Sequence, residues 1–475
     1  MKISEHFRLG LVQAELDFVD VDTEADMPLF IDPYVFSTRT DIWSQECDRD
    51  IVSFFQTAID FIRTGQEDAA RLILNNLSEP NETCLGLSSG RPSGRGVSGR
   101  QALDLHDALA NSKAAETGLL SDLTDCELFV DGIGRDKISD ITTNIIRRNL
   151  IRYTTDQCQF LNIPLSQVAS GRMWNAHNRQ WEQGYVSLPV VDGRKILLVP
   201  KAVVRWSLAV DHQQYYNHFV LNFLQEEHLS ANSGLVRILR RGGRRVYKKD
   251  LKELHPLSKM FLQDFSAEHP EVLQHYKRML GISQEVELEK LDEGFDETIF
   301  ARVLIDRLAQ IPPGNAAADQ FHKFMIGALA FIFYPDLIDP IKEDRIHEGR
   351  KRIDITYVNF ASDGFFFRRR AEANVIARNI IVECKNYSHD VGNPELDQVS
   401  GRFSPIRGWF GFLIARTMDD PDRFMATCRD TARDGRGFVI PLIDQDLVAM
   451  LTMIEQRDRA SVDRYLERKF RGLLG

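Results

Sequence analysis

Three residues near the end of the chain have the types and spacing to do chemistry together: Asp354, Glu383 and Lys385. Asp354 sits in Arg352-Ile353-Asp354-Ile355-Thr356, and the other two end Ile380-Ile381-Val382-Glu383-Cys384-Lys385. Both runs are short, β-branched and apolar, so both are expected as strands. Side chains alternate along a strand, which puts Glu383 and Lys385 on one face and Val382 and Cys384 on the other. In the first run Ile353, Ile355 and Tyr357 form the apolar set, with Asp354 opposite. Two carboxylates and a lysine on adjacent strands are the minimum set for metal-assisted phosphodiester cleavage. Mg²⁺ takes hard oxygen ligands and is usually held by one or two carboxylates plus water and phosphate. Asp354, Glu383 and the backbone carbonyl of Cys384 are the candidate ligands. The ion would lower the pKa of a bound water and neutralise developing charge, and Lys385 would orient the water or stabilise that charge. The plainer alternative is a solvated charged pair on a strand face. Charges inside an otherwise apolar run weigh against it, because an unpaired buried ion is costly.

With its surroundings, Gly349 to Ile355 and Val382 to Tyr387, the Asp354 … Glu383-x-Lys385 pattern resembles the PD-(D/E)XK nuclease superfamily over residues 315–445. The resemblance implies an α/β (α+β) chain whose C-terminal part is a restriction-endonuclease-like mixed central sheet flanked by helices. It also implies a Mg²⁺-dependent endonuclease in which Mn²⁺ can substitute. DNA is a more expected substrate than RNA, bacterial restriction or anti-phage defence the expected setting, and a homodimer or a partner subunit an expected assembly. The first helix of that superfamily often carries a metal-binding glutamate. Here Phe321, Phe324, Met325, Ala328, Leu329 and Ile332 make a helical apolar stripe, but the acidic position is irregular. Asp319 or His322 on the helix, or Glu343 or Glu348 after it, could fill the role. Beyond Lys385, an expected helix near Pro394–Phe403 brings Gln398, resembling a helix-borne glutamine of Mrr-like members, with Arg402 one turn on to contact phosphate.

Composition bounds the remaining possibilities. The chain has 475 residues, 43% hydrophobic and 27% charged, with a net charge of −10, which is ordinary for a soluble protein of two or three domains. A net acidic chain that binds nucleic acid must do so through local basic patches or metal-filled carboxylate sites. Cys47, Cys84, Cys126, Cys158, Cys384 and Cys428 are widely spaced with no CxxC pair, so a reducing cytoplasm and no structural zinc are expected. No run approaches the length of a membrane span, and no signal-like apolar core opens the chain.

Three units are expected: residues 1–205 as an α+β recognition or regulatory domain, 206–300 as a helical, basic connecting region, and 301–475 as the nuclease-like domain. In the first, acids alternating with apolar residues at Leu16–Val21 and Leu29–Pro33 suggest strands. Ile51, Phe54, Phe55, Ala58, Ile59 and Ile62 predict an amphipathic helix over 46–77, with Asp50 or Ser53 as cap. The Gly/Ser/Arg stretch 86–100 is either a polar loop or a phosphate cradle. Ser139 or Asp140 is expected to cap a helix from Ile141, and Asp192-Gly193 to turn a hairpin within 183–206. Residues 237–252 hold eight Arg/Lys and one acid, a candidate phosphate-tracking patch that includes Arg240, Arg241, Arg244 and Arg245. Phe365-Phe366-Phe367-Arg368-Arg369-Arg370 offers aromatics and arginines for bases and phosphates. Two other readings compete with the nuclease: a catalytically inactive nucleic-acid-binding or assembly protein, and a ligand-gated RNA-directed nuclease.

Overall fold

The computed structural model describes residues 1–87, 106–110, 120, 122–239, 243–280, 286–292, 295–342, 353–372, 375–405 and 407–474. Most of the Gly/Ser/Arg stretch, Arg240, Arg241, Glu343 and Glu348 lie outside them, and Asp354 is placed by its backbone alone.

The first forty residues contain little strand. Phe30–Ile31 pairs with Val204–Arg205, and the alternating acids serve instead as buried acceptors. Asp20 accepts from the Ser4 backbone at 2.8 Å and its hydroxyl at 2.6 Å, and Asp17 accepts from the Tyr153 hydroxyl at 2.6 Å. Helix α1, Ile42–Arg63, buries the expected stripe from Ile51 to Ile59. It starts earlier than expected because Asp41 caps it, accepting from Ser44 N. It breaks before α2, Glu67–Leu74. Helices α3 (Asp125–Phe129), α4 (Arg135–Ile145) and α5 (Arg147–Leu161) follow. Gly134, not Ser139 or Asp140, occupies the cap of α4. Ser139 is spent elsewhere, its hydroxyl accepting from Ile31 N at 2.9 Å.

Asp192 and Gly193 have φ of 51° and 75°, as a two-residue hairpin turn of this twist requires. The hairpin, Val190–Val191 with Arg194–Lys195, is shorter than expected because Tyr185–Leu188 pairs with Ser166–Ala169. Helix α6, His212–Tyr215, runs on through a wider turn to Ser230. The connecting region also holds Lys248–Leu254, α7 (Lys259–Glu268), α8 (Pro270–Met279) and the single turn Leu288–Leu291, after which comes the helix Glu297–Gln310.

The rest is built on a five-stranded mixed sheet: β1 (Leu337–Lys342), β2 (Ile353–Asn359), β3 (Asn379–Lys385), β4 (Phe410–Ala415) and β5 (Phe438–Ile443), adjacent in that order. β1, β2 and β3 are antiparallel, while β3, β4 and β5 are parallel. Parallel neighbours need crossovers, which α11 (Asn393–Ser400) and α12 (Pro421–Arg433) supply. Helix α9 (Ala318–Ile332) carries the expected apolar stripe into the core. Helices α10 (Gly364–Ala371), α13 (Asp444–Glu455) and α14 (Ala460–Leu474) complete the flanks. Helix α5 packs on the edge strand β1, a cover that keeps an exposed ladder from pairing with other chains.

Gly411 lets α11 approach the sheet. A Cβ there would stand 2.5 Å from the Ile381 carbonyl oxygen and 3.3 Å from Val399 Cγ1. The carbonyl belongs to the β3–β4 ladder and cannot step aside. Gly411→Ala is expected to destabilise the fold by about 1–3 kcal/mol, read as a lower urea midpoint; an unchanged midpoint would show that the strand yields.

Candidate active site

Strand β3 is the middle of the sheet and buried nearly throughout, so its charged residues must find partners inside the protein. Asp354 on β2 pairs directly with Glu383, and directly opposed residues of an antiparallel ladder share a face. Glu383 is wholly enclosed. Its Oε1 accepts a close hydrogen bond from Lys385 Nζ, and its Oε2 accepts from Arg402 Nη1 at 3.0 Å. Lys385 Nζ also donates to Gln398 Oε1 at 3.1 Å. Two residues come from one face of β3, Gln398 from α11 and Arg402 from just beyond it. The helix is set by Glu395, whose carboxylate accepts from Gly392 N at 2.9 Å.

Of the residues expected to act, Glu383, Lys385, Gln398 and Arg402 therefore meet, and the Asp354 backbone pairs with Glu383 in register. Arg402, expected to contact phosphate, is a second cation on the Glu383 carboxylate. Cys384 pairs with Ile353 and Ile414 in the ladders, and its side chain is buried. Asp319 is exposed in the first turn of α9 and His322 is half-buried in the next.

Sequence reasoning missed Asn386. Its Nδ2 donates to the carbonyls of Pro312 at 3.1 Å and Gly314 at 2.8 Å, and its own carbonyl accepts from Gly314 N at 2.7 Å. Arg416 Nη1 donates to Asn386 Oδ1 at 2.8 Å, and Arg416 Nε to Asp444 at 2.8 Å. These bonds tie the end of β3 to the turn leading into α9, the helix of Asp319 and His322. The available hint was its place directly after Lys385.

The arginine-aromatic run is corrected only in part, since Phe367 and Arg368 stay exposed. It forms α10, with Phe365 and Phe366 in the core, so neither can stack on a base. Arg369 is also buried, paired with Glu372 at 2.8 Å and Glu467 at 3.5 Å, its guanidinium 4.1 Å from the Phe470 ring centre. Arg368 pairs with Glu467 at 3.2 Å, and Arg370 donates to the Asn359 carbonyl at 3.1 Å. The basic patch behaves differently. Arg237–Ile238 and Arg244–Arg245 form an exposed antiparallel pair, with Arg237 and Arg245 5.4 and 5.3 Å from the Tyr247 ring centre.

Residues 8–211 match the family model described as a domain of unknown function (DUF8370). No curated protein and no solved structure matches the chain. The DUF8370-matching segment is joined to the sheet through a buried polar cluster. Asp17 accepts from Tyr153 and, at 3.0 Å, from Asp339 N in β1. Asp339 Oδ1 accepts from Gln157 Nε2 at 3.2 Å. Burial, with the Asp17 carboxylate beside it, pushes the Asp339 carboxyl up to about 8. Lys201 donates to the Gln13 carbonyl at 3.1 Å, and burial pulls its ammonium down to about 7 against the opposing pull of Asp17. All six cysteines are free and buried, and among the described residues no helix is long and apolar enough to cross a membrane.

Proposed function

We propose that the chain is a Mg²⁺-dependent endonuclease of the PD-(D/E)XK type, acting on DNA. The observation that carries the reading is the convergence of Glu383, Lys385 and Gln398 at the end of β3, with Asp354 directly opposite on β2. A mixed sheet flanked by helices is also what the resemblance implies. Two carboxylates at paired positions of adjacent strands would suit a hard cation. Asp354 and Glu383 would hold the ion, which would supply an acidified water and charge neutralisation. Gln398 holds the Lys385 ammonium in place, and Lys385 stands where it can orient a nucleophile or meet charge on a phosphate. The exposed arginine pair at 237–245 supports a separate contact with the nucleic-acid backbone.

Arg402 favours a second reading, an inactive nucleic-acid-binding protein, because its guanidinium occupies the Glu383 oxygen a metal ion would use. One assay separates the two. Supercoiled, linear and single-stranded DNA, and RNA, are incubated with the full chain and Mg²⁺, Mn²⁺ or EDTA. Cutting of DNA that EDTA abolishes is the expected result. Binding without cutting under every metal would overturn the nuclease in favour of the second reading.

A further inference from the structure

A second cluster of ligand-type side chains lies far from β3. Glu127 on α3, with Asp211 and His212 at the start of α6, present ligand atoms that all lie within 4.8 Å of one another. His212 Nδ1 is 2.8 Å from Glu127 Oε1. Among the described residues the other oxygen, Oε2, has no hydrogen-bond partner although it is buried, on a side chain only 8% exposed. An enclosed carboxylate oxygen without a donor is an unmet demand for positive charge.

The nearby cation does not meet it. Lys259 Nζ donates to the carbonyls of Cys126, Val130 and Ile133 at 3.3, 2.9 and 2.7 Å, so its three protons are spent. Asp211 is held rigidly. Its carboxylate caps α6 through Gln214 N at 2.7 Å, and its own N–H donates to the Tyr276 hydroxyl at 2.8 Å. One imidazole with two carboxylates is a borderline donor set, suited to Zn²⁺ and its neighbours more than to Mg²⁺. Three protein ligands leave a fourth position for water.

We propose that Glu127, Asp211 and His212 form a Zn²⁺-class binding site that clips α3 to α6, at the point where the DUF8370-matching segment ends. Glu127 lies more than eighty residues before the adjacent Asp211 and His212, which is why composition and cysteine spacing give no sign of the site. The site is independent of the nuclease reading.

The test uses the full chain carrying Glu383→Gln, stripped of metal, so that the β3 site contributes little. It is titrated with Zn²⁺ by calorimetry and with Co²⁺ by visible absorption. The expected result is one ion per chain, with a rise in melting temperature on binding. Loss of an outer partner alone weakens metal sites about 10–100-fold, so adding Glu127→Gln should weaken Zn²⁺ binding by about 100-fold or more. If that variant fails to fold, Asp211→Asn decides, since asparagine caps a helix as well as aspartate does. No binding, or binding unchanged by Glu127→Gln and Asp211→Asn, would overturn the proposal.

Discussion

If the chain is the nuclease proposed, Lys385→Ala is expected to lower its Mg²⁺-dependent cleavage rate by roughly 10³-fold while the protein still folds and keeps any DNA binding. The ammonium is almost fully buried and touches Glu383 and Gln398, so it has no slack to be replaced by water in the same place. Truncation removes one of the two cations on Glu383, but Arg402 remains at Oε2. The buried carboxylate therefore keeps a partner, and the stability cost stays near the 1–3 kcal/mol of one lost buried hydrogen-bond partner. Glu383→Gln separates the roles further. It keeps the shape and an acceptor oxygen, removes the charge that would hold a cation, and should abolish cleavage to a similar degree. Gln398→Ala reaches the chemistry only through Lys385 and should cost less than either. Circular dichroism and DNA binding in EDTA serve as controls. Lys385→Ala that cuts at the wild-type rate would remove Lys385 from the mechanism.

The part of this site that was legible in the sequence is the part encoded locally. Glu383 and Lys385 are two residues apart on one strand, so alternation alone puts them on one face. Gln398 follows within one helix, whose entry is marked by Pro394 and Glu395. The apolar stripe of α9 and the strands β4 and β5 are likewise continuous patterns. What alternation cannot tell is whether a polar residue faces water or a partner far away in sequence. Asp17 and Asp20 read as the wet side of a strand, yet both are buried acceptors, and the donor to Asp17, Tyr153, lies 136 residues on. The run Phe365 to Arg370 reads as a nucleic-acid surface because its neutralising partner, Glu467, and its stacking partner, Phe470, belong to the last helix. Asn386 is adjacent to the motif, but its value comes from carbonyls at Pro312 and Gly314. The same limit applies at the helix starts. A cap needs a free side chain, and Ser139 is claimed by Ile31.

The joint between the DUF8370-matching segment and β1 should make stability fall as pH rises, and Asp339→Asn should remove much of that fall. In the unfolded chain the Asp339 carboxyl ionises near 3.8, and in the folded chain it holds its proton to about 8, because it is buried beside Asp17. Between those values the folded state carries the extra proton. The contribution is fully present below pH 3.8 and is lost as pH rises through about 8. Lys201 acts in the other direction. Its depressed ammonium contributes stability that is present above pH 10.5 and lost as pH falls through about 7, so it offsets the loss only toward alkaline pH. Asparagine reproduces the protonated acid, with an oxygen to accept from Gln157 and a donor in place of the acid proton. It also tolerates the left-handed backbone at this position, where φ is 49°. Urea unfolding at pH 5 and pH 8.5 should therefore show the variant ahead by the smaller margin at the lower pH, which lies only about one unit above 3.8. At the higher pH the variant should be more stable by a few kcal/mol, on the order expected for a buried charge removed. Because β1 is the strand through which the N-terminal segment grips the sheet, the gain should appear as one cooperative transition moving to higher urea. Parallel pH profiles for the two proteins would mean that Asp339 is already ionised in the folded chain, with Arg152 as its counter-charge.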